Sequence, residues 1–324
     1  MNARKLISVV LSFRNEEDNI PEMINRLEMA LGALPEDYEI IYVNDDSTDR
    51  SLELLIERNR QNPRVKVITL SRRFGVEPGI FAGMAYARGD AVITIDADLQ
   101  DPPELIPELV GLWREGADVV YTVRTAREGE SWLKLFLTRI GYRVIDLFAE
   151  IHIPLNAGDF RLLSRRVVDT LNQLTEPNTY LRGLVQWVGF RRVPYSYVRK
   201  GRSAGESHFA LFGKAPITAF FYGVTGFSTI PILLIVAVGV LTTAMASVAL
   251  PVAIAMAAND VISHFWWIGL GVAWFWGTII GAIGVVGLFV ARIFRTALNR
   301  PRFLVESTIG IDAEPPRSVE RARI

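Results

Sequence analysis

Four polar side chains follow one short apolar run of the sequence. The run AVITI, at 91–95, precedes Asp96, Asp98, Gln100 and Asp101. Carboxylates crowded together repel one another, and a bound divalent cation removes that repulsion. Hard oxygen ligands of this kind suit Mg²⁺ or Mn²⁺, with the remaining coordination positions filled by water and by the phosphates of a substrate. The pattern therefore predicts a metal site that binds the diphosphate of a nucleotide.

Two earlier apolar runs end in polar loops of the same kind. Asn15 and Glu16 follow the first run, and Asp45 opens the loop DDSTD after the second. Helix capping could also account for these acids, because DDSTD precedes the helical stretch RSLELLIERN and the prolines of DPPEL open another helix. Capping accounts for one acid in each loop, so it leaves the clustered acids after the AVITI run unexplained.

The elements that hold these loops alternate between strands and helices. Short apolar runs rich in β-branched residues are separated by helical stretches, which predicts a mainly parallel sheet with helices on both faces. Ligands of such sheets bind beyond the carboxyl ends of the strands, where the three polar loops lie. The sequence has no G-x-x-x-x-G-K-[ST] and no G-x-G-x-x-G after the first strand, which disfavours chemistry based on those motifs. The predicted strands are Leu6–Phe13, Glu39–Asn44, Val65–Leu70, Ala91–Ile95 and Asp118–Val123.

Composition narrows the chemistry further. The chain has 324 residues, of which 35 are Lys or Arg and 35 are Asp or Glu. Because its formal net charge is zero, it lacks the positive charge that attracts nucleic acid, and we expect no nucleic-acid partner. It has no cysteine, which excludes disulfides, thiolate metal sites and a cysteine nucleophile. Carboxylates and arginines must therefore carry most of the chemistry.

Two long stretches of the chain carry no Asp, Glu, Lys or Arg, at 215–259 and 261–291. Each exceeds the roughly 20 residues that a helix needs to cross a bilayer. Core helices of a soluble protein are the alternative, but such helices keep a polar stripe that is missing here. We predict membrane spans at Thr229–Ala257 and Phe265–Ala291. Basic residues flank the pair and none lies in the link, so both termini are expected to be cytoplasmic.

The predicted organisation has four parts. A cytoplasmic domain at 1–208 precedes an amphipathic interfacial segment at 209–228, a two-helix hairpin at 229–291 and a basic and polar tail at 292–324. The apolar run near the N-terminus lacks a cleavage site, which favours a strand over a signal peptide. The tail after Val305 is polar and contains proline, so we expect it to be disordered.

Six segments of the chain occur in the order and spacing found in one enzyme family. They are SFRNEEDNIPEMI, YVNDDSTDRS, GDAVITIDADLQDPPELI, YTVRTAR, AGDFRLLSRR and RSAGESHF. The chain resembles the inverting glycosyltransferases of family 2, most of all the branch that loads a sugar onto a polyprenyl phosphate. Examples are the dolichyl-phosphate mannose synthases and the bacterial undecaprenyl-phosphate glucosyltransferases with a membrane hairpin. The resemblance implies an α/β GT-A domain, Rossmann-like with a mainly parallel sheet, followed by a two-helix transmembrane hairpin.

The resemblance also implies a reaction and its participants. A sugar, with glucose on UDP favoured, would pass from a nucleotide diphosphate sugar to polyprenyl (undecaprenyl) phosphate, with Mg²⁺ or Mn²⁺ as cofactor. The reaction would take place on the cytoplasmic leaflet of the bacterial inner membrane. We expect the lipid bilayer, a flippase and an outward-facing transferase as partners, and the hairpin could pack against copies of itself in a homo-oligomer.

Residue roles follow from the same resemblance, position by position. The catalytic residues would be Asp96, Asp98, Asp159 and Arg202. Nucleotide binding would involve Asn15, Glu16, Asp45, Asp96 and Arg124. The acceptor phosphate would contact Arg127, Arg161 and Ser207. Arg139 is predicted to contact it too, from an amphipathic helix at 131–150 that would line the acceptor entrance, although this helix could equally pack against the sheet. The metal ligands would be Asp98 and Gln100.

The chain departs from the family pattern at three positions. Arg14 replaces the usual tyrosine, Asn44 replaces an acid, and His208 replaces a lysine. The last change weakens a predicted phosphate contact, because a neutral imidazole is a weaker anion partner than an ammonium group.

Some of these residues, and the chain as a whole, also fit different roles. Arg161 could belong to the solvated start of a helix capped by Asp159, and Arg202 could anchor the chain to anionic lipid headgroups. Rival functions are a membrane-anchored transferase acting on a glycolipid hydroxyl and a catalytically silent scaffold that binds nucleotide sugars. A processive polysaccharide synthase is disfavoured because the sequence lacks a Gln-x-x-Arg-Trp segment.

Overall fold

A computed structural model of the chain describes residues 4–127, 157–174, 180–199, 241, 264–298 and 300–311. Within these residues the chain forms one eight-stranded sheet covered by helices on both faces. In chain order the elements are β1 (Leu6–Phe13), α1 (Ile20–Gly32), β2 (Asp37–Asn44), α2 (Ser51–Gln61), β3 (Val65–Leu70), α3 (Val76–Tyr86), β4 (Ala91–Thr94), a 3₁₀ turn (Pro103–Leu105), α4 (Ile106–Arg114), β5 (Val119–Arg127), β6 (Ala157–Ser164), α5 (Arg165–Gln173), α6 (Leu181–Trp187), β7 (Arg192–Arg199), α7 (His264–Ala297) and β8 (Val305–Ile309).

The strand order across the sheet is β7-β5-β6-β4-β1-β2-β3-β8. Strands β1 to β4 run parallel, and β5 pairs with β7 in the same direction, whereas β6 runs antiparallel to both β4 and β5. This is the GT-A-like, mainly parallel sheet that the resemblance predicts. Because β6 is antiparallel to β4, it begins at the edge where β1, β2 and β4 end.

Two apolar clusters fill the space between the sheet and the helices. Residues of α1, α2 and α4 pack on one face, and residues of α3, α5 and α6 pack on the other. Helix α3 lies very close to β1, because a Cβ atom at Gly79 would collide with Ser12 and one at Gly83 would collide with Val10. The two glycines therefore fix the first turn of α3 at the carboxyl edge of the sheet.

The prediction of disorder after Val305 was wrong for the first part of the tail. Strand β8 pairs antiparallel with β3 at the edge of the sheet, and Phe303 before it is buried. The backbone N–H of Ser71 donates to the carbonyl of Leu304 at 3.0 Å. Polar, exposed side chains are ordinary for an edge strand, so polarity alone did not indicate disorder. Residues 312–324 lie outside the described residues.

The predicted hairpin is described only in part. The first span, 229–257, lies outside the described residues apart from Leu241, as does the interfacial segment at 209–228. The second span, 265–291, falls within the single helix α7. Counted over the residues that the structure describes, no helix is long and apolar enough to cross a membrane. The hairpin therefore stays a prediction.

Candidate active site

The polar loops after β1 and β2 interlock at the carboxyl edge of the sheet. The backbone N–H of Thr48 donates to the Asn15 side chain at 2.8 Å, and the N–H of Glu16 donates to Ser51 Oγ at 2.9 Å. Asn15 and Asp46 both adopt the left-handed region, with φ of 54° and 62°. Non-glycine residues held in this region concentrate at functional sites, because the surrounding structure must compensate the strain.

Asp45 is buried, and its carboxylate binds the loop after β3, which was not among the predicted site loops. The backbone N–H groups of Phe74 and Gly75 donate to its two oxygens at 2.6 and 2.9 Å. Residues 71–75 follow β3 and so lie at the same sheet edge as the other loops. Asp45, predicted to contact the nucleotide, therefore also fixes a fourth loop of the site.

The loop after β4 leaves its polar side chains accessible. Asp96, Asp98 and Gln100 are partly exposed and alternate with the buried Ala97 and Leu99. The structure thus places the predicted metal ligands, Asp98 and Gln100, and the predicted nucleotide contact Asp96 in one short, partly exposed segment at the end of β4.

This loop is held from within and from β7. The backbone N–H of Gln100 donates to Asp98 Oδ1 at 3.1 Å, and Leu99 has a φ of 60°. Asp101 is fully buried and accepts a hydrogen bond from the hydroxyl of Tyr197 in β7. Asp101 therefore supports the loop and does not face the site. We call residues 14–17, 45–50 and 96–101 the carboxylate loops.

Beside the loop after β4, at the same sheet edge, residues of β6 form an ion-pair network. Arg161 Nη2 lies 2.9 Å from Asp159 Oδ1, and Arg182 binds the same carboxylate with two nitrogens, at 2.8 and 2.5 Å. Thr94 Oγ1 at the end of β4 donates to the carbonyl of Asp159 at 2.6 Å. Asp159 lies in a strand and does not cap the helix that begins at Arg165.

Glu77 completes this network. Desolvation and the negative charge of Asp159 raise the pKa of the Glu77 carboxyl to about 7. We call Glu77, Asp159, Arg161 and Arg182 the ion-pair cluster. Asp159 and Arg161 were predicted from the sequence, whereas Glu77 and Arg182 were not. The loop after β3 was the available signal for Glu77, because it ends at the same sheet edge, whereas no local pattern marks Arg182.

The remaining predicted site residues lie in β5 or outside the described residues. Arg124 and Arg127 lie in β5, where their backbones pair with Tyr197 and Arg199 of β7. Arg139, Arg202 and Ser207 lie outside the described residues. Their assigned roles stay predictions.

The carboxylate loops supply few side chains that could bind a metal ion. In the described part of the chain no group of three or more His, Cys, Asp or Glu side chains could hold a metal ion. Asp98 and Gln100, with Asp96 beside them, supply too few protein ligands for a closed cation site. They suit Mg²⁺ or Mn²⁺, which bind through one or two carboxylates together with substrate phosphates.

The chain matches known proteins over the residues of this site and over most of its length. The family profile described as glycosyl transferase family 2 matches residues 8–171. A Bacillus subtilis protein named "uncharacterized glycosyltransferase YkcC" is 40% identical over 307 residues, which cover 94% of each chain. The bactoprenol glucosyl transferase of Shigella phage SfII is 32% identical over 304 residues, which cover 93% of this chain and 98% of the phage protein.

Among solved structures, this chain is similar to glucosyl-3-phosphoglycerate synthase from Mycobacterium tuberculosis, crystallised with Mn²⁺ and UDP. The two share 23% sequence identity with a TM-score of 0.44, covering 62% of this chain and 73% of the other. At that score the superposition carries no conclusion about this chain.

Proposed function

Because the chain belongs to glycosyltransferase family 2, we propose that it transfers a sugar from a nucleotide diphosphate sugar to polyprenyl phosphate, with inversion at the anomeric carbon. The observation that carries this proposal is the pairing, at one sheet edge, of the carboxylate loops with the ion-pair cluster. One side suits a metal-bound diphosphate, and the other suits an anionic acceptor. Similarity to proteins named bactoprenol glucosyl transferases supports undecaprenyl phosphate as acceptor and glucose as the sugar.

The donor would bind through its diphosphate at the carboxylate loops. Asp98 and Gln100 would hold Mg²⁺ or Mn²⁺, which when bound supplies positive charge beside the departing diphosphate. Asp96 lies in the same short segment and would orient the ribose and diphosphate. Buried Asp45 would order the loop beside the nucleotide base. UDP is the favoured nucleotide.

The acceptor needs no strong base. A lipid phosphate is already ionised near neutral pH, because its second pKa is about 6. One of its oxygens attacks the anomeric carbon, the bond from that carbon to the diphosphate oxygen breaks, and the electron pair leaves with the nucleoside diphosphate. No proton has to move in this step.

Asp159 is a poor candidate for the base that a glycolipid hydroxyl would need as acceptor. Of the predicted site residues, it is the acid that the resemblance assigns to the acceptor side. Its oxygens already accept hydrogen bonds from the guanidinium groups of Arg161 and Arg182, which makes it a poor proton acceptor. We infer that Asp159 orients the two arginines, which bind the acceptor phosphate.

We further propose that the hairpin holds this edge of the sheet at the membrane. β7 ends and β8 begins at the carboxyl edge, since Val305 follows directly after the segment that contacts Ser71, just beyond β3. The intervening chain leaves and rejoins one domain, so the number of times that it crosses a bilayer has to be even. Two spans meet that condition, and apolar side chains of α7 such as Phe275 and Ile283 are exposed. Arg202 would close over the diphosphate at the same edge.

The surroundings of the reaction follow from the proposed topology. The active edge and both termini would face the cytoplasm at a bacterial inner membrane. Two spans are too few to move a lipid-linked sugar across the bilayer, so a flippase and an outward-facing transferase would act afterwards. A homo-oligomer built through the hairpin stays a prediction.

The decisive experiment uses the purified full-length chain in detergent. It would be given radiolabelled nucleotide sugars one at a time, with undecaprenyl phosphate and Mg²⁺ or Mn²⁺, and with EDTA in a parallel reaction. We expect label to enter the lipid phase from one donor, UDP-glucose, and only with metal. In a parallel reaction with a neutral glycolipid as acceptor, transfer to that glycolipid and not to the lipid phosphate would establish the hydroxyl-acceptor rival. Metal-dependent nucleotide binding without any transfer would establish the silent scaffold.

A further inference from the structure

Glu77 joins two helices beside the predicted acceptor position. It lies in the first turn of α3, whose close packing on β1 fixes that turn at the carboxyl edge of the sheet. The backbone N–H of Leu181, the first residue of α6, donates to Glu77 Oε1 at 3.3 Å. The next residue, Arg182, binds the Asp159 carboxylate. The Glu77 carboxyl therefore contacts the same helix turn that carries the partner of Asp159.

The charged groups that act on Glu77 come from two other elements. Asp159 and Arg161 lie in β6, and Arg182 lies in α6; Tyr180, just before α6, acts on Arg161. When Glu77 is ionised, the two carboxylates of the cluster balance the two guanidinium groups. When Glu77 is protonated, the cluster carries one net positive charge.

Arg161 gives independent support for an anion at this position. Its side chain is 3% exposed, and its Nε has no hydrogen-bond partner among the residues that the structure describes. Buried N–H groups are rarely left unpaired, so a missing partner points to a ligand or an ordered water. An acceptor phosphate supplies several oxygens that could accept this bond.

We propose that Glu77 is a positioning residue that controls acceptor affinity: its protonated form leaves Arg161 and Arg182 with a net positive charge for the phosphate, and its ionised form cancels that charge. This inference rests on the proposed function, because it assigns the phosphate of the acceptor lipid to the cluster. Since desolvation raises the Glu77 pKa to about 7, both forms are populated near neutral pH. The enzyme would then bind its acceptor less tightly as pH rises through 7.

The test compares the wild type with Glu77→Gln. Glutamine is nearly isosteric, keeps an oxygen for the Leu181 N–H and fixes the neutral form. The Michaelis constants for undecaprenyl phosphate and for the donor would be measured at about pH 6 and about pH 8.5, on either side of the Glu77 transition. Titration of the lipid phosphate affects both proteins equally, so the wild-type-to-variant ratio isolates Glu77. Glu57→Gln, which removes an exposed carboxylate from α2, is the matched control.

The ratio of the wild-type KM to the Glu77→Gln KM for undecaprenyl phosphate should rise from about 1 at the lower pH to about 10 at the higher pH. This is the order expected for one unscreened charge nearby. The KM for the donor should be the same in the wild type and in Glu77→Gln, and Glu57→Gln should match the wild type at both pH values. An acceptor ratio that does not change with pH, in a chain that transfers sugar normally, would overturn the role of Glu77 and leave the proposed function intact. Absence of transfer in the wild type would overturn the proposed function and this inference with it.

A second measurement covers the case in which Glu77→Gln does not fold. Farnesyl sulfate keeps one negative charge throughout this pH range and competes for an acceptor-phosphate site. Its inhibition constant against the wild type should rise by about tenfold between the same two pH values, as Glu77 ionises. A constant inhibition constant would overturn the inference.

Discussion

The carboxylate loops and the ion-pair cluster share one sheet edge but are held in different ways. In the loops, backbone groups fix the acids: two consecutive N–H groups bind Asp45, and the N–H of Gln100 binds Asp98. In the cluster, side chains from separate elements fix one another, as Arg161 and Arg182 do with Asp159. Loops built on backbone contacts offer one fixed shape, whereas a side-chain cluster can change its charge.

This difference has a functional reason within the proposed reaction. A diphosphate keeps the same charge and shape at every turnover, so a rigid set of ligands suits it. A lipid acceptor must enter from the membrane and leave as a larger product. A binding site whose net charge depends on one carboxyl can hold the acceptor without trapping the product. Substitutions in the two regions should therefore differ in what they change.

The largest effect is expected at the metal ligand of the carboxylate loops. Asp98→Ala removes a carboxylate that would hold the cation, so transfer should fall by roughly 100- to 1,000-fold, the usual loss when one transition-state charge contact is removed. Initial rates at saturating Mn²⁺ would measure it, with thermal unfolding to show that the variant is folded. Asp169→Ala, on the exposed face of α5, is the control and should retain full activity. Near-normal turnover of Asp98→Ala would remove the metal assignment.

The second prediction tests whether the chain that follows α7 belongs to the core on the α3 face of the sheet. Phe303 is buried, and Arg302 beside it lies over the ring of Phe81 in α3 at 4.4 Å. Phe303→Ala should lower the free energy of unfolding by about 3 kcal/mol, because it leaves a cavity in the core. Leu304→Ala, at a more exposed position, should cost less than about 1 kcal/mol. Denaturant unfolding in detergent would compare the two, and a loss at Phe303 as small as the one expected at Leu304 would show that Phe303 does not belong to the core.

The strands at the centre of the sheet were predictable because their apolar runs are local. β1 and β3 begin and end where the sequence predicts, and β2 begins two residues earlier, at Asp37. β6 was missed because Asp159 and Arg161 give it a polar appearance, and only pairing with β4 and β5 makes it a strand. Tertiary contacts of this kind override local preference.

The candidate site divides in the same way. The carboxylate loops follow directly after apolar runs, so their position could be read from the sequence. In the ion-pair cluster, Glu77 accepts a hydrogen bond from Leu181, which is 104 residues away in the sequence. Arg182 binds Asp159, which is 23 residues away. No local pattern encodes such pairs, and one sequence alone does not reveal them. The edge strand β8 was missed for a related reason, since its exposed polar residues resemble those of a free tail.

The third prediction separates the geometry of the cluster from its charge. Arg182→Lys keeps the positive charge but loses the two-nitrogen contact with Asp159, which lysine cannot reproduce. We expect kcat/KM for the acceptor to fall by about 10- to 30-fold, or about 2 kcal/mol, with an unchanged donor KM. Arg114→Lys is the matched control, because Arg114 makes a similar contact with Glu36 away from the site. A rise in donor KM for Arg182→Lys would show that the two regions are not independent.

The smallest effect is expected where the backbone holds an acid. Asp45→Asn keeps one acceptor oxygen but turns an amide NH₂ towards one of the two N–H groups that bind Asp45. The loss of one charge-assisted hydrogen bond should cost about 1 to 2 kcal/mol, expressed as a roughly 5- to 30-fold rise in donor KM. The acceptor KM should stay the same, because Asp45 does not belong to the cluster. Asp37→Asn, at the opposite end of β2, controls for the change of charge. Steady-state kinetics with each substrate varied in turn would decide, and an equal rise in both constants would mean that the loop after β3 transmits a change at Asp45 through α3 to Glu77.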